Sequence, residues 1–174
     1  MNSLNDDSES DGDGVVGSPA DIGVDALTLL REDHQDVQEL FDAYRDAVET
    51  RADDGRRRDL AGEICALLEI HALIEEELFY PAVRDALDDA DLLLDRAEVA
   101  HATAKDLIDQ LLAMDPDDAL YDAKALVLGD YIALHIREEE DEIFPRIETS
   151  EIDLDELGAE LRARQVELEQ GGDL

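Results

Sequence analysis

Each of the four histidines in this chain, His34, His71, His101 and His135, falls on the apolar stripe of a segment with helical period. At about 100° per residue, His34 shares a face with Leu30, Val37 and Phe41. His71 shares one with Ile64, Leu67, Ile74 and Leu78. His101 aligns with Leu94 and Ile108, and His135 with Leu128, Ile132 and Ile143. An imidazole buried without a partner is costly. Four of them on four different helices therefore demand a fold in which those faces meet and their ring nitrogens are satisfied together.

The rest of the chain agrees with a helical fold. It has 10 glycines and 4 prolines in 174 residues, and no run rich in Val, Thr and aromatics of the kind that forms strands. The fold class expected is all-α. Helices are expected at about 24–50, 56–86, 89–114 and 117–147, with a short fifth at about 152–170. Asp53-Asp54-Gly55 is expected to break the first and Asp115-Pro116 to end the third. Pro81 and Pro145 should kink or loosen the last turns of the second and fourth. Gly171-Gly172 should end the fifth, which docks through Leu154, Leu157, Leu161 and Leu168. The architecture this predicts is an up-down-up-down antiparallel four-helix bundle with a short C-terminal helix. In it the four histidines lie within roughly 8 Å of one level. Residues 1–20 read as a disordered acidic tail, 21–150 as the bundle and 151–174 as the C-terminal helix with a short tail.

Lys and Arg number 14 against 49 Asp and Glu, a net charge of −35. Such a surface opposes binding to nucleic-acid phosphates. The lysines are only Lys105 and Lys124. This bias resembles proteins of salt-accumulating halophiles, whose surface carboxylates are screened because the Debye length is about 3 Å at 1 M salt. Met1–Ala20 has neither the basic nor the apolar part of a signal peptide, and no apolar run approaches a membrane span. A cytoplasmic protein is expected. Cys65 stands alone, about 120° off the face of His71, and reads as inert core.

Two glutamates turn the histidines into candidate chemistry. Glu75 follows His71, and Glu139 follows His135, by four residues, one turn along the same face. A carboxylate stacked on an imidazole at that spacing can share a cation or bridge two; the alternative is a hydrogen-bonded core network. Glu76, Glu77 and Glu140 are expected to face solvent, as is Glu138, the one rival ligand. Six donors are too many for one tetrahedral zinc. They suit two six-coordinate ions bridged by both carboxylates and an oxo or hydroxo group, with about one open position each. Imidazole and carboxylate suit iron, manganese or zinc. Two iron ions are preferred, since redox-inert zinc would make less use of the open positions.

The pattern His34; His71-x-x-x-Glu75; His101; His135-x-x-x-Glu139 resembles the hemerythrin-like (HHE) cation-binding family, over roughly residues 25–147. The tail Leu157-Gly158-Ala159-Glu160-Leu161 also looks family-like. Ferritin-type sites use paired Glu-x-x-His motifs, of which Glu98 and His101 form a single instance. The resemblance implies a four-helix bundle around a non-haem di-iron centre. Oxygen-carrying members have a fifth histidine four residues after that of the third helix, where this chain has Lys105. Its set of ligands is more similar to that of the di-iron repair proteins of nitric-oxide stress, whose cysteine-bearing N-terminal domain it lacks, and to that of an iron-sensing ubiquitin-ligase domain.

The function expected is binding or sensing of a small ligand (O2, NO or peroxide) at a carboxylate-bridged iron pair. The alternatives are a di-iron enzyme that reduces NO or removes peroxide, and an iron-responsive storage or interaction module. Tyr131, one turn before His135, is read either as core or as a hydrogen-bond donor or redox-active phenol behind the metals.

Overall fold

The computed structural model describes residues 24–171; the N-terminal tail expected over 1–20 lies outside them, as does Gly172. Among the described residues the chain is helical throughout, with no strand. Helix α1 is Ala26–Glu49. Helix α2 spans 54–86 without interruption, α-helical over Asp54–Ile74, π-helical over Glu75–Phe79 and α-helical again over Tyr80–Ala86. Helix α3 is Asp91–Leu112. Helix α4 spans 121–147 and repeats the plan of α2, as Tyr121–Glu138, a π segment Glu139–Ile143 and Phe144–Ile147. Helix α5 is Leu154–Gly171.

Caps explain most of the boundaries. Asp25 Oδ1 accepts from the backbone N–H groups of Leu27 and Thr28, both at 3.0 Å, which satisfies two donors at the start of α1. Helix α1 ends where expected but by a different device. Arg51 adopts a left-handed conformation (φ 55°), and the Ala52 N–H closes on the Ala47 carbonyl at 2.8 Å. This is a Schellman stop built without glycine. Asp53-Asp54-Gly55 therefore starts α2 rather than ending α1, with Asp53 capping the Arg56 N–H at 3.1 Å.

The prolines also act differently from the expected loosening. A proline inside a helix clashes with the carbonyl four residues back. Here each helix widens before its proline: the Tyr80 N–H bonds to the Glu75 carbonyl, and the Phe144 N–H to that of Glu139, five residues apart in both cases. Pro81 and Pro145 then occupy the first turn of the resumed α-helix, where a missing N–H costs nothing.

The core has two apolar clusters separated by a polar layer. One holds Phe41, Tyr44, Ile64, Ile108, Leu128 and their neighbours, with Cys65 among them. The other holds Leu30, Ile74, Phe79, Leu94, Phe144, Leu157 and Leu161. On α1 to α3 the change from one cluster to the other falls at the histidine, and on α4 between Ile136 and Ile143, just past His135. Helix α5 lies against α1 and α2. A Cβ on Gly158 would stand 2.4 Å from the Val24 carbonyl oxygen, so at that point only glycine lets the backbones of α5 and α1 approach.

Candidate metal centre

The polar layer consists of the six residues singled out by spacing: His34, His71, Glu75, His101, His135 and Glu139 are all buried, the two carboxylates almost completely. The two glutamates sit where the π turns begin. Glu75 Oε2 lies 3.3 Å from His71 Nε2 and 3.3 Å from His101 Nε2. Glu139 Oε2 lies 3.3 Å from His34 Nε2 and 3.5 Å from His135 Nε2. Each carboxylate thus reaches a histidine on its own helix and one on another. The rings pair edge to face, His34 with His71 at 4.9 Å between centroids and His101 with His135 at 4.7 Å.

These groups satisfy one another only in part: His101 Nε2 and His135 Nε2 lie 3.0 Å apart in one hydrogen-bond contact, while four other atoms are left over. His34 Nε2, His71 Nε2, Glu75 Oε1 and Glu139 Oε2 are buried with no hydrogen-bond partner among the described residues. Orphaned buried polar atoms are rare and costly. Four in one layer, aimed inward, fit cations held between them. Donor atoms of His34, His71, Glu75 and Glu139 lie within 4.8 Å of one another, as do those of Glu75, His101 and His135. These are two overlapping groups with Glu75 common to both.

The outer nitrogens support the same geometry. His34 Nδ1 is 2.9 Å from Glu140, His101 Nδ1 3.0 Å from Glu76 and His71 Nδ1 3.4 Å from Asp33. An Nδ1–H donated to a carboxylate leaves the Nε2 lone pair free to ligate. Glu76 and Glu140, expected to face solvent, are partners of the histidines instead. Lys105 donates to both oxygens of Glu76, at 2.9 and 2.7 Å, so the residue in the place of a fifth histidine supports His101 from behind. Glu138 pairs with Arg96 and Glu98 with Arg84, both away from the layer, and Glu77 pairs with Arg164. Cys65 is buried and its thiol is pushed up to about 12 by desolvation.

Charge within the layer is uneven. His34 is raised to about 9: burial opposes the proton, but Glu139, Glu75 and Glu140 outweigh it. His101 is raised to about 9, against burial, by Glu75 and Glu76. His135 is lowered by burial, to which the neighbouring imidazoles add. Glu139 is lowered, because His135 and His34 outweigh its desolvation. Glu76 falls to about 2 through its bond to His101 and its pairing with Lys105.

Tyr80 belongs to the site and was not singled out by spacing. Its hydroxyl donates to Glu139 Oε1 at 2.6 Å, lies 3.2 Å from Glu75 Oε2 and 3.3 Å from His101 Nε2, and its ring stacks on His101. Phe144, five residues after Glu139 as Tyr80 is after Glu75, stacks on His34 at 5.8 Å. At this position the two halves differ by that hydroxyl. Tyr131, read above as core or as a donor behind the metals, lines a surface groove beside Leu92, Val99 and Leu134. Against the edges of all four histidine rings lies an apolar chamber of about 20 Å³, walled by Val37, Leu68, Ile108 and Ile132.

An all-helical fold with a buried His/Glu cluster of this kind defines a cation-binding helical domain. The family described as "Hemerythrin HHE cation binding domain" matches residues 25–147, and the chain belongs to that family. Among solved structures it is similar to a hemerythrin HHE cation binding domain-containing protein from Mycobacterium kansasii. The TM-score is 0.70 and the identity 25%, over 85% of this chain and 89% of that one. Among curated proteins it is 27% identical over 167 residues to a DNA nickase of Nostoc sp.. That match covers 90% of this chain and 45% of the relative, so the chain spans about half the relative's length.

Proposed function

We propose that the chain is a di-iron protein that binds or senses a small ligand (O2, NO or peroxide). In this reading His34 and His71 hold one ion, His101 and His135 the other, and Glu75 and Glu139 bridge them. The observation that carries it is the set of four orphaned donor atoms beside an apolar chamber of about 20 Å³. A cavity needs about 10–15 Å³ to hold a water. The chamber therefore has room for a molecule the size of a diatomic or peroxide. Bound iron would supply open coordination positions and a change of oxidation state. The protein's own part is to fix the imidazoles through Asp33, Glu76 and Glu140, to keep bulk water out and to hold the Tyr80 proton against Glu139.

The bundle is read as up-down-up-down. Two groups of contacts support this: Tyr44 and Arg57 meet on Asp122, and Arg31 pairs with Glu148 as Arg146 pairs with Asp89. Each group joins helix starts to helix ends. Among the described residues no helix is long and apolar enough to cross a membrane. A cytoplasmic, high-salt setting is proposed from the charge of −35. The same charge opposes a DNA phosphate backbone, so the nicking activity of the longer Nostoc relative is not carried over.

Stopped-flow mixing of the anaerobic diferrous protein with NO, O2 or peroxide tests the proposal. A binder gives one saturating spectral change per site with one of the three. Repeated product release would establish the enzymatic alternative in its place, and no response to any of them contradicts both.

A further inference from the structure

The innermost polar contact of helix α5 belongs to neither the apolar docking seam nor the surface. Gln165 is 4% exposed, and its amide Nε2 donates to both carboxylate oxygens of Asp33, at 3.1 and 3.2 Å. Asp33 is itself 6% exposed, and its Oδ2 lies 3.4 Å from His71 Nδ1. On the far side, Arg162 donates to Gln165 Oε1 at 2.8 Å and thereby fixes which way the amide faces. A continuous chain of hydrogen-bond contacts thus runs from the surface of α5 to one histidine of the buried layer. Among the described residues no hydrogen bond joins the outer partner of His101 to α5: that partner is Glu76, held by Lys105 of α3, and it is the adjacent Glu77 that pairs with Arg164 of α5. A buried carboxylate without a donor is costly, so Asp33 depends on Gln165, and hence on α5 being seated, for its position.

We propose that Gln165 is a positioning residue for the His34/His71 ion, so that seating of the C-terminal helix and occupancy of that one position are coupled. The proposal rests on the two-metal reading above and goes beyond it. Partners behind a ligating histidine typically control metal affinity 10- to 100-fold. Coupling is also reciprocal: if a seated α5 raises affinity for one ion, that ion must hold α5 more firmly. Loss of metal would then loosen one named helix, the one a partner could read, and leave the rest of the bundle in place.

The test is titration of the full-length metal-free protein with cobalt(II), followed by its visible d–d absorption. Hydrogen exchange of α5 is measured with and without the ion. The wild-type chain should bind two equivalents, and loading should slow exchange across 157–168. Gln165→Leu should weaken one equivalent about 10-fold and leave the other unchanged. It should also lose the effect of loading on α5. Gly158→Ala, which pushes α5 from α1 without touching Asp33, should weaken the same equivalent. A merely structural role predicts equal weakening of both equivalents or of neither, and either result in Gln165→Leu overturns the proposal. Unchanged exchange of α5 on loading of the wild-type chain overturns it as well, even where a variant fails to fold. Failure of the wild-type chain to bind cobalt overturns the two-metal reading and this proposal together.

Discussion

The Tyr80 hydroxyl donates to Glu139 Oε1 at 2.6 Å, joining the π turn of α2 to the carboxylate that begins the π turn of α4. The Tyr80 hydroxyl oxygen is also 3.2 Å from Glu75 Oε2. One phenol therefore spans both acids of the site, while Phe144, its counterpart in the other half, offers neither a bond nor a proton. Tyr80→Phe should leave Glu139 Oε1 short of its donor and destabilise the metal-free protein by about 1–3 kcal/mol. Chemical denaturation of the two metal-free proteins measures this, and equal midpoints and slopes would contradict it.

Lys105 has a role even though it cannot ligate as an ammonium. It fixes Glu76, which in turn fixes His101. Lys105→Ala should lower metal affinity on the His101/His135 side by about 3- to 10-fold, the low end for a partner behind a ligand. Competition with a chromophoric chelator reads the change. Affinity unchanged at both positions would remove Lys105 from the account.

The metal-free chain should lose stability as pH rises from about 6.5 to 9. His34 and His101 have folded values near 9, above their ordinary 6.5, because neighbouring carboxylates outweigh burial. The stabilisation from their protonated forms is complete below about 6.5 and disappears as pH passes through about 9. His135 is lowered and so acts only below that window. Melting temperature of the metal-free protein should fall across this range. A flat or rising profile would contradict the charge arrangement.

Salt should matter more than for an ordinary domain. With a net charge of −35, self-repulsion opposes folding until screened. Moving from 0.1 to about 2 M KCl shortens the Debye length to below about 3 Å. Melting temperature should rise by at least several degrees, and indifference to salt would remove the high-salt reading.

The six residues of the layer were legible because a 3.6 period and an i+4 spacing are local properties that survive into the fold. Their partners were hidden for particular reasons. Asp33, Glu76 and Glu140 are three acids among 49 Asp and Glu, and nothing in their spacing marks them as inward. Tyr80 is five residues from Glu75, about 140° away on an α-helix. Only the π turn returns it to that face, and an aromatic directly followed by a proline, Tyr80-Pro81 and Phe144-Pro145, was the sole sequence hint. Arg51 took a left-handed position usually given to glycine, so α1 stops there without help from Asp53-Asp54-Gly55. Gln165 sits on a largely polar helix where no pattern separates the one inward amide from its neighbours.

Metal content of the full chain, purified under reducing conditions and compared with a His71→Ala/His135→Ala double variant, tests the central claim most directly. The account predicts close to two ions per wild-type chain, mostly iron, and a near-empty variant that still folds as a helical protein. Less than about one ion per wild-type chain after iron loading, or equal metal in the variant, would contradict it.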